Sequence, residues 1–342
     1  MESGFYRRGL WARDVVAISK NPDDLNDGNF WAVLITYEGE PTFAQFSSVE
    51  YDQEEAFFSY AEQSKQGKQG KQSKQSNWNP PNNPWRSSLN QSEYLAAVRA
   101  VRSAIERGDV YQINLCRILE TEYSEANLLC LMERLRRGNP APYLTSLELP
   151  GISVASASPE LLLRREGARI TSSPIKGTAR ERTGFLEKDR AENVMIVDLV
   201  RHDFGSICQT GSIQTPRLLD VEEHPGLFHL VSDVQGELTP NTSWQEIFAA
   251  LLPAGSISGA PKSSAIELIS QLEKQERGPY CGAIGWVHGE RAELAVGIRT
   301  FWRSDGLLRF GTGAGITWGS DPELEWAETE LKASRLLSLT AQ

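Results

Sequence analysis

The order of predicted elements constrains the fold of this chain more than any other feature of its sequence. Short apolar runs with strand character and longer segments with helical periodicity are mixed along the 342 residues, without strict strand–helix–strand alternation. We find no internal repeat. This mixture favours an α+β fold over a doubly wound parallel sheet, and the length allows one large domain or two ordinary ones.

Individual segments predict elements of both kinds. Residues 32–37 and 42–46 flank a turn at 38–41 and predict a hairpin, and apolar residues at helical spacing predict a helix over 92–107. Further helices are predicted near 124–138, 186–204, 243–252, 261–273 and 322–337. Further strands are predicted near 110–115, 152–157, 161–164, 168–171, 281–288, 292–300 and 307–311.

A polar low-complexity segment divides the chain. Residues 64–76 alternate Lys, Gln, Gly and Ser without an apolar side chain, and a Pro- and Asn-rich stretch follows. Such a composition cannot bury a core, so 62–86 is predicted to be an exposed linker or long loop. It separates an N-terminal part with short strands, 1–61, from the larger region 87–342.

Charge and hydropathy exclude several classes of protein. With 45 acidic and 35 basic residues the net charge is −10, which disfavours binding to nucleic acid or anionic membranes. No run approaches the roughly 18 apolar residues of a membrane span, and the first twenty residues lack a signal-peptide pattern. A cytoplasmic location with four reduced cysteines is therefore predicted. If the substrate is an anion, its site has to gather cations locally.

Two segments carry carboxylates at helical spacing. Glu325, Glu328 and Lys332 share one face of the last predicted helix, beside an apolar stripe that includes Leu324 and Leu331. Two carboxylates on one face suit a hard cation such as Mg²⁺, although Glu and Lys pairs also decorate ordinary solvated faces. In the predicted helix 186–204, Glu192 lies at the edge of an apolar surface, where a metal ligand or a structural position is possible.

Glycine and lysine mark three further segments. The glycine-rich stretch 311–316 predicts backbone N–H groups that approach an anion, or a tight turn with positive φ. Lys176, beside Gly177, is either a solvated lysine or a semi-buried, neutral nucleophile. The segment 255–262 has the wrong lysine spacing for a phosphate loop, and Pro261 interrupts it, so nucleotide binding is excluded there.

Several motifs, taken in order over residues 87–337, resemble the chorismate-utilising enzymes. That family includes component I of anthranilate synthase, component I of aminodeoxychorismate synthase, and the isochorismate and salicylate synthases. The motifs are Ser158-Pro-Glu-Leu, Pro174-Ile-Lys-Gly-Thr, Asp189-Arg-Ala-Glu-Asn-Val-Met-Ile-Val-Asp-Leu, His229-Leu-Val-Ser, Pro253-Ala-Gly-Ser-Ile-Ser-Gly-Ala-Pro-Lys and Gly313-Ala-Gly-Ile. The resemblance implies a single α+β domain of two antiparallel sheets packed on each other and surrounded by helices.

The resemblance also implies a magnesium and substrate site. Glu192 and Glu328 would bind Mg²⁺ directly, and Glu325 directly or through water. The metal would bind the ring carboxylate of chorismate, and backbone N–H groups of Gly313, Ala314 and Gly315 would hold the same group together with Lys332. By this resemblance, Mg²⁺ and Lys332 would supply the local positive charge that an anionic substrate requires in an acidic chain.

Other matched positions are implied to bind or protonate the substrate. Arg299, with Tyr280 nearby, would clamp the enolpyruvyl carboxylate, because a guanidinium fork suits a carboxylate. Glu160 would be the general acid for the departing C4 hydroxyl. His229 would lie near that hydroxyl, unless it is a buried structural histidine. Thr178, in the motif of Lys176, is assigned to substrate binding.

The residue types at two positions distinguish the reactions of this family. Gln112 stands where isochorismate and salicylate synthases have a lysine base, so ammonia is favoured over water as the nucleophile. Lys176 stands where anthranilate synthases usually have alanine, and a lysine there marks aminodeoxychorismate synthase. By this resemblance Lys176 attacks ring C2 and ammonia then adds at C4, which gives 4-amino-4-deoxychorismate for para-aminobenzoate and folate synthesis.

The resemblance further implies a partner, since no glutaminase-type nucleophile is found in this chain. Ammonia would come from a separate glutamine amidotransferase. Two alternatives remain open: an anthranilate synthase component I, and a catalytically inactive relative that acts as a regulatory or binding subunit.

Overall fold

A long antiparallel sheet dominates the computed structural model, which describes residues 3–7, 9–51, 78–125, 127–179, 181–224 and 227–341. Within these residues the eighteen strands are Gly4–Arg7 (β1), Leu10–Ser19 (β2), Phe30–Ile35 (β3), Pro41–Tyr51 (β4), Arg86–Ser87 (β5), Gln112–Glu122 (β6), Tyr143–Leu149 (β7), Ile152–Ser158 (β8), Leu161–Glu166 (β9), Arg169–Ser173 (β10), Ile175–Ala179 (β11), Gln214–His224 (β12), Leu227–Glu237 (β13), Gly259–Ala260 (β14), Ala283–His288 (β15), Arg291–Val296 (β16), Thr300–Ser304 (β17) and Leu307–Ile316 (β18).

Six α-helices accompany the sheet in the same described residues. They are Gln91–Arg107 (α1), Leu129–Gly138 (α2), Glu187–Gly205 (α3), Trp244–Leu251 (α4), Lys262–Leu272 (α5) and Pro322–Ser338 (α6), with short 3₁₀ turns at Pro22–Asn26 and Gly255–Ile257. The predicted α+β class is confirmed.

Strand pairing is continuous and antiparallel. From one end the order is β12, β13, β10, β9, β16, β15, β3, β4, β2, β1, β7, β8, β17, β18 and β6, with β11 also on β13 and with β5 and β14 on β6. A division into two packed sheets stays a prediction, because hydrogen-bond pairing alone joins all these strands.

The sequence-based boundaries agree best where local signals are strong. The hairpin is β3 and β4, whose pairing ends at Ile35 opposite Pro41. Helix α1 begins after Asn90, whose side chain accepts from the Glu93 N–H while the Glu93 carboxylate accepts from the Asn90 N–H, and Gly108 ends it in the left-handed conformation. Such reciprocal capping fixes the helix start locally.

One alternative for the last third of the chain is wrong. The glycine-rich stretch 311–316 is not a turn; it continues β18 along β6. In α6, Leu324 and Leu331 are 71% and 74% exposed while Glu325 is buried. Helix α6 packs on β18 and α1, and its buried residues include Thr329, Ala333 and Leu336.

The end of the predicted linker contacts the fold. Trp78 stacks on Tyr123 with ring centroids 5.0 Å apart, and its Nε1–H donates to the Thr340 carbonyl at 2.9 Å. Residues 62–77 of that segment lie outside the described residues, and the domain boundaries stay predictions. No helix in the described ranges is long and apolar enough to cross a membrane.

Candidate active site

Lys176 occupies an irregular point on β11. The pairing of β11 with β13 shifts register between Lys176 and Thr178, which lies opposite His229. Gly177, between them, has φ +78°, and a Cβ there would come within 3.0 Å of the Asp189 side chain. A glycine bulge re-aims the side chains that flank it, so this position explains why glycine follows the lysine. His229 is buried on β13, and its place near the substrate hydroxyl stays a prediction.

The Lys176 ammonium group lies half-buried among charged groups. Its Nζ donates to the carbonyl oxygen of Ser256 at 3.0 Å. Burial lowers the pKa of Lys176, and the nearby carboxylates of Glu160 and Glu192 partly oppose that shift. A lysine in this state exchanges its proton more readily than a surface lysine does.

Glu160 is a buried carboxyl beside that lysine. It lies between β8 and β9, where its backbone N–H donates to the Ser158 hydroxyl at 3.3 Å and its carbonyl accepts from the Val296 N–H at 3.1 Å. Burial raises the pKa of Glu160, although Lys176 and the Ser256 hydroxyl act against the increase. A carboxyl with a raised pKa beside a lysine with a lowered pKa is suited to transferring a proton.

Helix α3 places Glu192 near Lys176 and Glu160. The helix begins where the Asp189 carboxylate accepts from the Leu186 N–H at 2.8 Å, and Glu192 follows one turn later. Burial raises the pKa of Glu192, while Lys176 and Lys188 oppose the shift.

Helix α6 is fixed against the sheet by a buried threonine. The Thr329 hydroxyl accepts from Arg117 Nε at 3.1 Å, and the Thr329 carbonyl accepts from the Thr312 hydroxyl at 3.0 Å. Asp321 caps the helix by accepting from the Leu324 N–H at 3.0 Å. These contacts set the rotation of the helix that carries the two remaining acids.

The acids of α6 differ in their partners. Lys332 Nζ lies 2.6 Å from Glu328 Oε1 and donates to the Gly313 carbonyl at 3.1 Å. Burial favours a raised pKa for Glu328, but Lys332 together with Lys188 and Lys176 outweighs it and the pKa of Glu328 is lowered. Burial raises the pKa of Glu325, and the charge of Glu328 adds to the increase.

The donor chemistry of these three acids fits Mg²⁺, although their present arrangement is not a formed metal centre. Glu192 and Glu325 both interact electrostatically with Glu328, and carboxylate oxygens are the preferred ligands of this ion. In the residues described, no group of three or more His, Cys, Asp or Glu side chains is arranged to hold a metal. Glu328 is paired with Lys332 instead, so binding would require this ion pair to rearrange.

The glycines of β18 are needed for close approach. A Cβ at Gly313 would lie 2.6 Å from Cys116 Sγ, and a Cβ at Gly315 would lie 2.6 Å from Gln112 Nε2. The alternative of a turn with positive φ is wrong for both residues, because they continue the strand on either side of the buried Ala314. Gln112 is itself buried, and among the described residues its Oε1 has no hydrogen-bond partner.

Arg299 and Tyr280 lie in neighbouring irregular segments. Arg299 has φ +52°, and its carbonyl accepts from the Ala157 N–H at 3.0 Å. Burial lowers the pKa of Arg299, and the nearby Arg335 adds to the decrease. Tyr280 is buried against Gly311, where a Cβ would overlap its ring. A half-buried guanidinium near another cation favours an anionic ligand.

The structure thus brings many of the predicted residues together. Lys176 interacts electrostatically with Glu160, Glu192, Glu328 and Lys332, so β11, α3 and α6 share one charged corner. No such interaction links Arg299 to this group in the described chain, and its role stays a prediction.

Two residues were missed by sequence reasoning. Ser256, whose carbonyl accepts from Lys176, lies in the family motif that begins at Pro253, but no role is predicted for it from the sequence. Lys188 interacts with the acids Glu192, Glu325 and Glu328, and its position next to Asp189 was the available signal.

Comparisons with known proteins identify the family of this chain. The sequence pattern of the chorismate binding enzyme family matches residues 12–338. Aminodeoxychorismate synthase component 1 of Salmonella typhimurium is 37% identical, over 74% of this chain and 58% of that protein. Anthranilate synthase component 1 of Aquifex aeolicus is 32% identical, over 96% of this chain and 73% of that protein.

A solved structure shows the same fold. Anthranilate synthase component I from Streptococcus pneumoniae superposes with a TM-score of 0.83 at 24% identity, covering 97% of this chain and 92% of that one. The chain belongs to the family of chorismate-binding enzymes, which confirms the resemblance. It spans 58% of the length of the Salmonella relative.

Proposed function

We propose that this chain aminates chorismate at C4 with ammonia and forms 4-amino-4-deoxychorismate. The observation that carries the proposal is Lys176, a half-buried amine whose Nζ contacts the Ser256 carbonyl at 3.0 Å and whose pKa is lowered by burial beside Glu160. A lysine placed in this way can supply a neutral amine as a nucleophile.

The proposed reaction has two displacements. The neutral amine of Lys176 bonds to ring C2, the double bond shifts, and the C4 hydroxyl leaves as water with the proton of Glu160. Ammonia then bonds to C4, the double bond returns, and the C2–N bond to Lys176 breaks. The surplus proton of the added ammonia returns to the Glu160 carboxylate, so both side chains end as they began.

The other site residues bind and orient the substrate in this proposal. Lys332 and the β18 backbone around Gly313 hold the ring carboxylate, and Arg299 holds the enolpyruvyl carboxylate. Mg²⁺, held by Glu192, Glu325 and Glu328, would supply a positive charge for the ring carboxylate. The buried Gln112 oxygen offers an acceptor for ammonia but is not a base that could activate water.

A glutamine amidotransferase partner supplies the ammonia in this proposal. It is supported by the relatives, whose names call them component 1. We also propose a cytoplasmic setting within para-aminobenzoate and folate synthesis, and the four free cysteines agree with a reducing compartment.

Anthranilate synthesis is the second candidate, because relatives that bear that name match as well as the aminodeoxychorismate synthase does. The test is to incubate the pure chain with chorismate, Mg²⁺ and an ammonium salt, with and without an added aminodeoxychorismate lyase. We expect para-aminobenzoate only when the lyase is present. Fluorescent anthranilate formed without lyase would overturn the assignment based on Lys176.

A further inference from the structure

The segment that contacts Lys176 is itself held from behind by a buried arginine. Ser256 belongs to the 3₁₀ turn Gly255–Ile257, and the next carbonyl, that of Ile257, accepts from Arg277 Nη1 at 2.8 Å. Arg277 Nη2 also donates to the Asn114 carbonyl at 2.7 Å. One guanidinium therefore ties this turn to strand β6.

The charge of Arg277 is fully balanced inside the protein. Its Nε and Nη2 donate to the two carboxylate oxygens of Glu273 at 2.8 and 2.6 Å, and it lies 4.2 Å over the ring of Tyr37. The Glu273 carboxylate also accepts from the Cys116 N–H at 2.8 Å. A planar fork with five donors can make these contacts together, whereas a lysine ammonium cannot.

The same turn has further restraints that leave its carbonyls little freedom. Asn114 donates from its side chain to the Ile257 carbonyl at 3.2 Å, and its N–H donates to the Ser258 carbonyl at 2.8 Å. The Ser258 hydroxyl closes the turn onto the Ala254 carbonyl at 2.9 Å. The Ser256 and Ile257 carbonyls belong to adjacent peptide units that meet at the Ile257 Cα, so anchoring the Ile257 carbonyl restricts the direction of its neighbour.

We propose that Arg277, paired with Glu273, is a positioning residue for Lys176. It holds the Ile257 carbonyl, and through the adjacent peptide unit it holds the Ser256 carbonyl against Lys176 Nζ. The inference rests on the proposed function only in taking Lys176 as the reacting amine. The ion pair of Arg277 and Glu273 would then control the position of the Lys176 amine without contacting it.

The test compares Arg277→Lys with Arg7→Lys. Arg7 is a matched control because it is also buried, lies 3.0 Å from the Glu293 carboxylate and donates to the Glu293 carbonyl at 3.0 Å. It lies on β1 and contacts β15 and β16, away from Lys176. We expect Arg277→Lys to lower kcat by about 10- to 100-fold with an unchanged KM for chorismate, and Arg7→Lys to leave both constants unchanged. Equal losses of kcat in the two variants would overturn the proposal.

A second readout needs no turnover. Cyanate labels neutral amines, and mass spectrometry gives the rate at Lys176 relative to the exposed Lys20. Loss of the Ser256 acceptor removes a contact that favours the ammonium form, so labelling of Lys176 should rise at least about twofold in Arg277→Lys and stay constant in Arg7→Lys. An unchanged ratio in both would refute the positioning role even if the wild-type product proves to be anthranilate.

A milder variant keeps the proposal testable if Arg277→Lys does not fold. Asn114→Ala removes one donor to the Ile257 carbonyl and leaves the buried ion pair intact. We expect a change of the same sign as in Arg277→Lys but smaller, about threefold in kcat. A wild-type KM and kcat in Asn114→Ala, together with unaltered Lys176 labelling, would count against the proposal.

Discussion

Two regions of this molecule bury cations in opposite ways. In the sheet, Arg7 lies 3.0 Å from the Glu293 carboxylate, which Arg164 also contacts at 2.7 Å. In the charged corner, Lys176 has carboxylates nearby but contacts a carbonyl oxygen. The first arrangement pairs arginines directly with a carboxylate, whereas the second sets a lysine with a lowered pKa near acids with raised pKa values. The difference separates charges that stabilise the fold from charges that can react.

The largest expected effect is on activity and comes from the charged corner. Lys176→Met keeps the length of the side chain and removes its amine, so the proposed amination should fall by at least about 10³-fold. The free energy of unfolding, measured with urea, should not fall, because the variant removes a buried charge. Retention of more than a tenth of the wild-type rate would contradict the nucleophilic role, and lost stability would place Lys176 in the same class as Arg7.

The matched change in the sheet should show the reverse. Glu293→Gln leaves Arg7 buried without its anionic partner, and breaking such a pair costs about 3–5 kcal/mol. We expect a lower urea midpoint and, at temperatures where the variant is folded, wild-type kcat and KM for chorismate. A lowered kcat in the folded variant would break the proposed separation between stabilising and reacting charges.

Sequence reasoning named residues of the charged corner but did not name the residues that support them. Lys176, Glu160 and Glu192 could be named because family motifs fix residue types, and they do lie together. Their mutual placement depends on the register shift at Gly177, which is a property of strands distant in sequence. No local pattern predicts such pairing.

The last helix shows the same limit more sharply. The sequence predicts its boundaries to within one residue, since Pro322 is a strong local signal for a helix start. Its orientation does not follow from the apolar stripe, because Leu324 is exposed and Glu325 buried. The burial of Glu325 follows from the anchoring of Thr329 by Arg117, a contact between residues 212 positions apart. A hydrophobic stripe cannot report such a contact.

Glu148 is a third buried ionisable group, and it tests whether a raised pKa by itself identifies an active-site residue. Glu148 is buried on β7, where its Oε1 accepts from the Leu128 N–H at 2.9 Å, and burial raises its pKa to about 7. Among the described residues the cation that acts on Glu148 is Arg303 rather than a lysine of the kind beside Glu160, so we assign it no chemistry. The comparison therefore predicts an effect on stability without an effect on catalysis.

The pH dependence of Glu148 has a definite sign. Its pKa in the folded state lies above its usual value, so the folded protein binds this proton more tightly than the unfolded chain. The stability it contributes is present at low pH and is lost as the pH rises through about 7. Glu148→Gln should remove about 2–3 kcal/mol of that decline between pH 5 and 8, measured by urea unfolding. Parallel stability profiles for variant and wild type would show that Glu148 titrates normally.

The smallest expected effect comes from a contact that involves neither kind of buried charge. Asn90 caps α1 by accepting from the Glu93 N–H at 3.0 Å on an exposed surface. Asn90→Ala should lower the free energy of unfolding by about 1 kcal/mol and leave kcat and KM for chorismate unchanged, because α1 supplies no side chain to the charged corner. Asn90→Ser, which keeps an acceptor at the cap, should recover most of the loss. A lowered kcat in Asn90→Ala would instead show that α1 transmits its position to α6, on which it packs. The helix pair would then belong with the charged corner and not with the part of the fold that only stabilises it.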